Sequence, residues 1–379
     1  MHRNVLLPLL LWACPSTDPS ESELDAPTDT GSATSTPSWL DISADLKSVK
    51  GNRAPGLVGA VARADELVAL GAAGRRKRGG GGDVLPDDVF HIGSVTKVYT
   101  ALLVARLVDA GETSWALTLG EVFPDAHPDW SEITLEMLLR HESGATGSLG
   151  DDFPTLWAQM FEDGDADVMQ TRAQLADTVL AEPPTHPPGS VVYSNAGLTL
   201  VGAALEAQRG VAWEEDLTTW VLEPLGQTDC GFGPPLGDQP WGHDYFTGDP
   251  VDPTDPYADN PPALGPAGTL ACPVASLAGL GRAYLQADGG DTSFLSAESY
   301  AMLTAPNSVD LVPGMVVSDD QPWAGGRAYA MTGSNSYWYA TIWIAPALDR
   351  TFAVIANSGT PESADAVNDA ILLMIDEEL

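Results

Sequence analysis

Lysine is almost missing from this chain of 379 residues: there are four, Lys47, Lys50, Lys77 and Lys97. Basic residues of both kinds are scarce, 17 against 53 acidic ones, which leaves a formal charge of −36. A negative field of that size repels phosphate backbones, and phosphate contacts supply most nucleic-acid affinity. Nucleic-acid binding is therefore the first reading to fall. Also lacking is any uninterrupted apolar run of the ~18 residues that a membrane-spanning helix needs, so nothing beyond the extreme N-terminus is expected to cross a bilayer. The six histidines (His2, His91, His127, His141, His186 and His243) show no paired ligand spacing, and Cys14, Cys230 and Cys272 form no Cys-x-x-Cys. Neither a zinc site nor another cofactor is expected.

What is present begins with an export signal. His2 and Arg3 precede the apolar run Val5 to Ala13, too short to span a membrane. The run ends in Leu11-Trp12-Ala13-Cys14, which resembles a bacterial lipobox, in which the signal is cut before a cysteine that then carries lipid. Residues 1–13 are thus expected to be removed, and Cys14 to be the only membrane attachment. From Pro15 to Ser38, 20 of 24 residues are Ser, Thr, Pro, Asp or Glu. Such a segment buries too little apolar surface to offset its ordering entropy. Residues 14–38 therefore read as a tether, spanning roughly 25–30 Å as a coil. The expected location is the bacterial cell envelope, facing the periplasm or the cell surface. In that oxidising compartment Cys230 and Cys272 form an even pair, readable as a disulfide or as two buried thiols.

Residues 39–379 show no linker and no internal repeat, and read as one domain. A helix is expected over Trp39–Val49, then strands over Leu57–Val61 and Leu67–Ala72, then an exposed loop with Arg75-Arg76-Lys77-Arg78 and Gly79–Gly82. A helix that is apolar almost all round follows from Ser94 to Ala110, as expected of one buried inside a large domain. Further helices fit Thr134–Arg140, Ala196–Gln208, Trp213–Leu222, Val274–Leu285 and Ala364–Glu378, and strands fit Ser336–Ala345 and Thr351–Ala356. Strands early, strands late and helices between predict an α+β fold: an antiparallel sheet built from both chain ends, with a helical subdomain. The stretch Leu236–Pro266, with six aspartates and many prolines, lacks EF-hand spacing and reads as a solvated loop.

Chemistry concentrates in Phe90-His91-Ile92-Gly93-Ser94-Val95-Thr96-Lys97. Serine is a weak nucleophile until a base takes its proton. At i and i+3 on a helix, Ser94 and Lys97 share one face. A lysine at the mouth of an apolar helix is partly desolvated, which lowers its pKa toward base function. Free backbone N–H groups at the helix start face any anion formed at Ser94.

This segment resembles the serine β-lactamase and penicillin-binding-protein superfamily, especially its class C-like and esterase branch. The resemblance continues in order through Ile133–Gly144, with a His141-x-Ser143-Gly144 turn, and Pro188–Asn195, which carries Tyr193-x-Asn195. It then runs through Leu222–Asp229, Pro266–Leu270 and Thr332-Gly333-Ser334. It implies a β-lactamase/DD-peptidase-like fold and a serine hydrolase working through an acyl-enzyme. Ser94 would attack, while Lys97 and Tyr193 would share proton transfer. Asn195 would bond Lys97 and a substrate amide, and the N–H groups of Ser94 and Ser334 would form the oxyanion hole. One position departs from the pattern: Met331 stands where the third element ordinarily begins with Lys or His. A thioether offers neither charge nor donor to a substrate carboxylate, although Arg327 lies close in sequence. The expected substrate is a small-molecule or cell-wall-peptide acyl donor, esterase-like chemistry being preferred over β-lactam or D-Ala-D-Ala hydrolysis. The alternative is a non-catalytic or weakly active ligand-binding protein on the same scaffold. An α/β-hydrolase is rejected, because no Gly-x-Ser-x-Gly elbow occurs.

Overall fold

The short apolar segments near the two ends of the domain pair with each other. In the computed structural model, which describes residues 39–162 and 167–379, these segments build a nine-stranded sheet. The early strands are β1 (Leu40–Asp41), β2 (Gly56–Ala62), β3 (Leu67–Lys77) and β4 (Gly80–Asp83). A separate small sheet is made by β5 (Val89–His91), β6 (Gly231–Phe232) and β7 (Leu270–Pro273). The late strands are β8 (Leu311–Val312), β9 (Met315–Gln321), β10 (Gly326–Ser334), β11 (Tyr339–Ala345) and β12 (Arg350–Ala356). The order of the large sheet is β1-β3-β2-β12-β11-β10-β9-β8, with β4 on β3. β2 and β12 close it in antiparallel register, Val58 opposite Ile355. The signal, tether and Cys14 expected over residues 1–38 lie outside the described residues.

Both central strands are buried on both faces, because helices cover each side. One face packs Leu57, Val61, Phe352 and Val354 against the helices Ser43–Lys50 and Pro361–Asp376, through Leu46, Val367 and Ile371. The other packs Val58, Ala353 and Ile355 into the main core, which includes Leu277 and Leu280 of the Val274–Asp288 helix. That core continues into the helical subdomain through the Thr96–Asp109 and Asn195–Arg209 helices.

Several expectations need correction. The sheet is mixed, because β1 runs parallel to β3. That pairing delays the first helix to Ser43, where the Asp41 carboxylate accepts the Ser43 N–H at 2.9 Å. The segment after Ala72 is a β3–β4 hairpin rather than a solvated loop. Arg76 Nε reaches the buried Asp88 at 2.8 Å, and Lys77 lies 3.3 Å over the Trp241 ring. The helix expected from Ser94 starts at Thr96, after a 3-10 turn over Gly93–Val95. The strand expected from Ser336 starts at Tyr339, because Asn335 Oδ1 accepts the Tyr337 and Trp338 N–H groups and makes a turn there. The acidic stretch is not wholly solvated, since Ala258 and Asp259 are buried. Cys230 and Cys272 are bonded, with an S–S distance of 2.11 Å, joining β7 to the residue before β6.

Candidate active site

β5 delivers the chain into the Gly93–Val95 turn, and the polar edge of the following helix fastens it there. Thr96 Oγ1 donates to the Gly93 carbonyl at 2.6 Å and accepts the Leu270 N–H at 3.2 Å. One turn on, Thr100 Oγ1 donates to the Pro266 carbonyl at 2.7 Å. Between them Lys97 Nζ donates to the Ala267 carbonyl at 2.6 Å and to Ser94 Oγ at 3.0 Å. Ser94 is half-buried, while Lys97 behind it is fully buried. Burial pushes the lysine below its ordinary pKa, and the Tyr193 phenol opposes part of that shift. The i,i+3 spacing thus yields a hydroxyl at the surface of the site and an amine in its dry floor.

Tyr193 arrives from elsewhere, on a backbone ladder between two segments. The Val192 N–H donates to the His141 carbonyl at 2.9 Å, Gly189 N–H to Glu142 at 2.7 Å, and His186 N–H to Gly144 at 3.0 Å. Gly144 has φ +77°, and a Cβ there would stand 2.2 Å from the His186 carbonyl oxygen, so the ladder requires glycine. Ser194 ends the ladder and caps the Asn195–Arg209 helix, accepting the Gly197 N–H at 2.9 Å and donating to the Thr146 carbonyl at 2.6 Å. Tyr193 is 44% exposed, its ring centroid 5.0 Å from Lys97 Nζ and 4.6 Å from the His141 ring. Burial and then the nearby Lys97 charge push His141 down to about 3, so it is neutral at physiological pH. Its Nδ1 accepts the Ser194 N–H at 3.2 Å.

β10 closes the other side. A Cβ on Gly93 would lie 2.4 Å from Ser334 N, and one on Gly333 would lie 2.6 Å from Ser94 N. The Gly93–Val95 turn and the end of β10 therefore touch backbone to backbone, with the Ser94 and Ser334 nitrogens close to that contact. Met331 shares the Gly333 face of the strand and is partly buried against the main core. The Thr332 hydroxyl, on the opposite face, is engaged with Thr341 Oγ1 at 3.2 Å.

Two sequence expectations are revised. Lys97 bonds Ser94 and Ala267 rather than Asn195, which sits half-buried at the start of its helix. Arg327 does not supply the charge that Met331 lacks, because its guanidinium pairs with Asp319 and reaches the Thr304 carbonyl at 3.4 Å. The Ala267 carbonyl on Lys97 and the His141 ring against Tyr193 are not legible in the sequence. A backbone acceptor leaves no residue signature, and His141 registered only as part of a motif.

Chemically, the cluster offers a hydroxyl bonded to a desolvated amine, a phenol beside that amine, and two backbone nitrogens, of Ser94 and Ser334, where the turn meets β10. Such an arrangement can support attack on an acyl carbonyl. The Beta-lactamase family model matches residues 44–374. Penicillin-binding protein 4 of Amycolatopsis lactamdurans is 28% identical over 316 residues, 77% of this chain and 78% of its own. Esterase EstB of Burkholderia gladioli is 31% identical over 227 residues, 57% of this chain and 55% of the esterase. Among solved structures, the class C beta-lactamase from Rhodobacter sphaeroides superposes with a TM-score of 0.68 at 20% identity, covering 88% of this chain and 98% of its own.

Proposed function

From the premise that this chain belongs to the Beta-lactamase family, we propose that it is a serine hydrolase forming an acyl-enzyme at Ser94, with uncharged esters or amides preferred over carboxylated β-lactams and D-Ala-D-Ala peptides. The observation that carries the reading is the 3.0 Å bond between Ser94 Oγ and the fully buried Lys97. Lys97 in its neutral form takes the Ser94 proton as Oγ bonds the acyl carbon. The oxyanion is received by the N–H groups of Ser94 and Ser334. Collapse breaks the bond to the leaving alkoxide or amine, which takes a proton relayed through Tyr193. Water then attacks the ester and releases the acid by the same steps in reverse, restoring the Ser94 hydroxyl. Asn195, half-buried two residues after Tyr193, is suited to an amide or carbonyl of the acyl group.

Relatives that include a penicillin-binding protein and an esterase leave the substrate class open. Met331 supports the ester side. A substrate carboxylate leaving water must be paired, since an unpaired buried charge is costly. Met331 offers a flexible apolar wall instead, and Arg327 is held by Asp319. The negative field of the chain also disfavours anions. A panel of neutral short-chain esters, cephalosporins and D-Ala-D-Ala peptides tests the reading: kcat/KM is expected to be highest on the esters. Met331→Lys should raise kcat/KM on carboxylated β-lactams relative to esters by about 10-fold, the scale of one new charge-assisted bond. A wild type that prefers the carboxylated substrates would refute the assignment to Met331. The competing reading, a ligand-binding protein without turnover, draws on Met331 alone and leaves the Ser94–Lys97–Tyr193 contact without a purpose.

The proposal includes export and lipidation at Cys14, with the 14–38 segment as tether. Cys14→Ser is expected to move the protein from the membrane fraction to the soluble fraction. Unchanged membrane association, or cleavage mapped elsewhere, would contradict the anchor.

A further inference from the structure

We infer that Asp259 is a positioning residue that holds the two halves of the oxyanion hole in register. The inference rests on the acyl-transfer reading of Ser94 and adds to it. Asp259 belongs to the acidic stretch between β6 and β7, yet it is only 9% exposed while its neighbours Asp252 and Asp255 face solvent. One of its oxygens does most of the bonding. Asp259 Oδ1 accepts Asn335 Nδ2 at 2.9 Å and the Asn260 N–H at 2.7 Å, and lies 2.8 Å from His91 Nε2.

Each of those side chains leads to one half of the hole. His91 is fully buried, and its Nδ1 accepts the Gly93 N–H at 3.0 Å. An accepting Nδ1 leaves the ring proton on Nε2, on the side of the Asp259 carboxylate, though the N–H axis is not aligned for a full hydrogen bond. This arm ends one residue before Ser94. In the other arm, Asn335 directly follows Ser334, and its Oδ1 accepts the Tyr337 and Trp338 N–H groups at 3.2 Å each. The turn that presents the Ser334 N–H is therefore pinned to the same carboxylate oxygen. Trp338 seals the assembly, its ring centroid 5.7 Å from that of His91.

A buried carboxylate is a poor choice for stability alone. Replacing such polar clusters by apolar side chains is often neutral or stabilising, and Asp259 Oδ2 is left buried without a partner. Directionality is what the carboxylate adds. An oxyanion hole works only when both donors converge on a point fixed to a fraction of an ångström, and donors on two separate segments need a common anchor. Asp259 also shares its loop with Asn260, whose Nδ2 donates to the Gly268 carbonyl at 2.8 Å, one residue beyond the Ala267 carbonyl that holds Lys97.

The test uses the full chain, a neutral ester, and phenylboronic acid, whose tetrahedral serine adduct places an oxygen in the hole. Asp259→Ala is expected to lower kcat about 10- to 100-fold with KM changed less than about 3-fold, and to weaken phenylboronate inhibition by a similar factor to kcat. Asp259→Asn retains an acceptor for both arms and should recover most of that loss. Asn335→Ala should reproduce the loss in kcat, and adding it to Asp259→Ala should cost little more, since both act on one linkage. If Asp259→Ala does not fold, Asn335→Ala and Asp259→Asn carry the same comparison. Unchanged kcat and boronate affinity in Asn335→Ala and Asp259→Ala, or a loss confined to KM, would overturn the inference. A wild type that neither labels at Ser94 nor turns over any ester would instead overturn the acyl-transfer reading beneath it.

Discussion

Replacing Ser94 or Lys97 by alanine is expected to lower kcat by at least about 10³-fold, with no further loss when both are replaced. The reason is geometric. The amine and the hydroxyl share one 3.0 Å hydrogen bond, and each is of little use to an acyl carbonyl without the other. Lys97→Arg should fail as completely, because a guanidinium stays protonated and cannot accept the serine proton. Burial lowers the Lys97 pKa, so the free base forms at lower pH than for an ordinary lysine. Activity should therefore rise with pH through that lowered value, since the deprotonated form is the active one. Tyr193→Phe should cost about 10²-fold, within the range of general acid–base groups. Steady-state kinetics on a neutral ester, with thermal melts to show that each variant folds, decides these points. Near-normal turnover by Lys97→Ala would remove lysine from the mechanism.

The second large effect is expected at Gly333. A Cβ there would stand 2.1 Å from the Ile92 carbonyl oxygen and 2.6 Å from Ser94 N, closer than real Cβ contacts come. Both neighbours are backbone, so no side chain can swing away, and either β10 or the nucleophile turn must shift. The two donors proposed for the oxyanion hole ride on those segments. Gly333→Ala should thus lower kcat by about 10²-fold or more, comparable to deleting a donor, while Ser94 and Lys97 keep their contact. Gly80→Ala, with nothing within 4 Å of the added carbon, serves as the control and should be nearly neutral. Full activity in Gly333→Ala would mean that the Ser334 N–H takes no part.

How far the molecule can be read from its residues depends on whether a feature is local. The Thr96–Asp109 helix announces itself as a segment apolar on almost every face, and Ser94 and Lys97 sit together through helical spacing alone. β2 and β12 are legible as short small-and-branched segments that demand burial on both faces. β10 is not, because Gly326–Ser334 mixes glycine, arginine, threonine and serine and owes its strand to pairing with β9 and β11. Tyr193 is an intermediate case. Its motif is visible, yet its approach to Lys97 comes from a ladder with residues 141–144 that no period in the sequence encodes. Met331 stands out as a departure from the resemblance, but only the Arg327–Asp319 pair shows that Arg327 does not replace it. Asp259 was hidden among five other aspartates of its stretch, since burial rather than residue type separates it from them.

Everything proposed for this site depends on Ser94 being a nucleophile activated by Lys97. Reaction of the intact protein with a fluorophosphonate probe, followed by whole-protein mass and peptide mapping, tests it most directly. A single adduct is expected on Ser94, absent from Ser94→Ala and formed at least about 10²-fold more slowly by Lys97→Ala. No adduct, an adduct on another residue, or equal labelling of wild type and Lys97→Ala would contradict it.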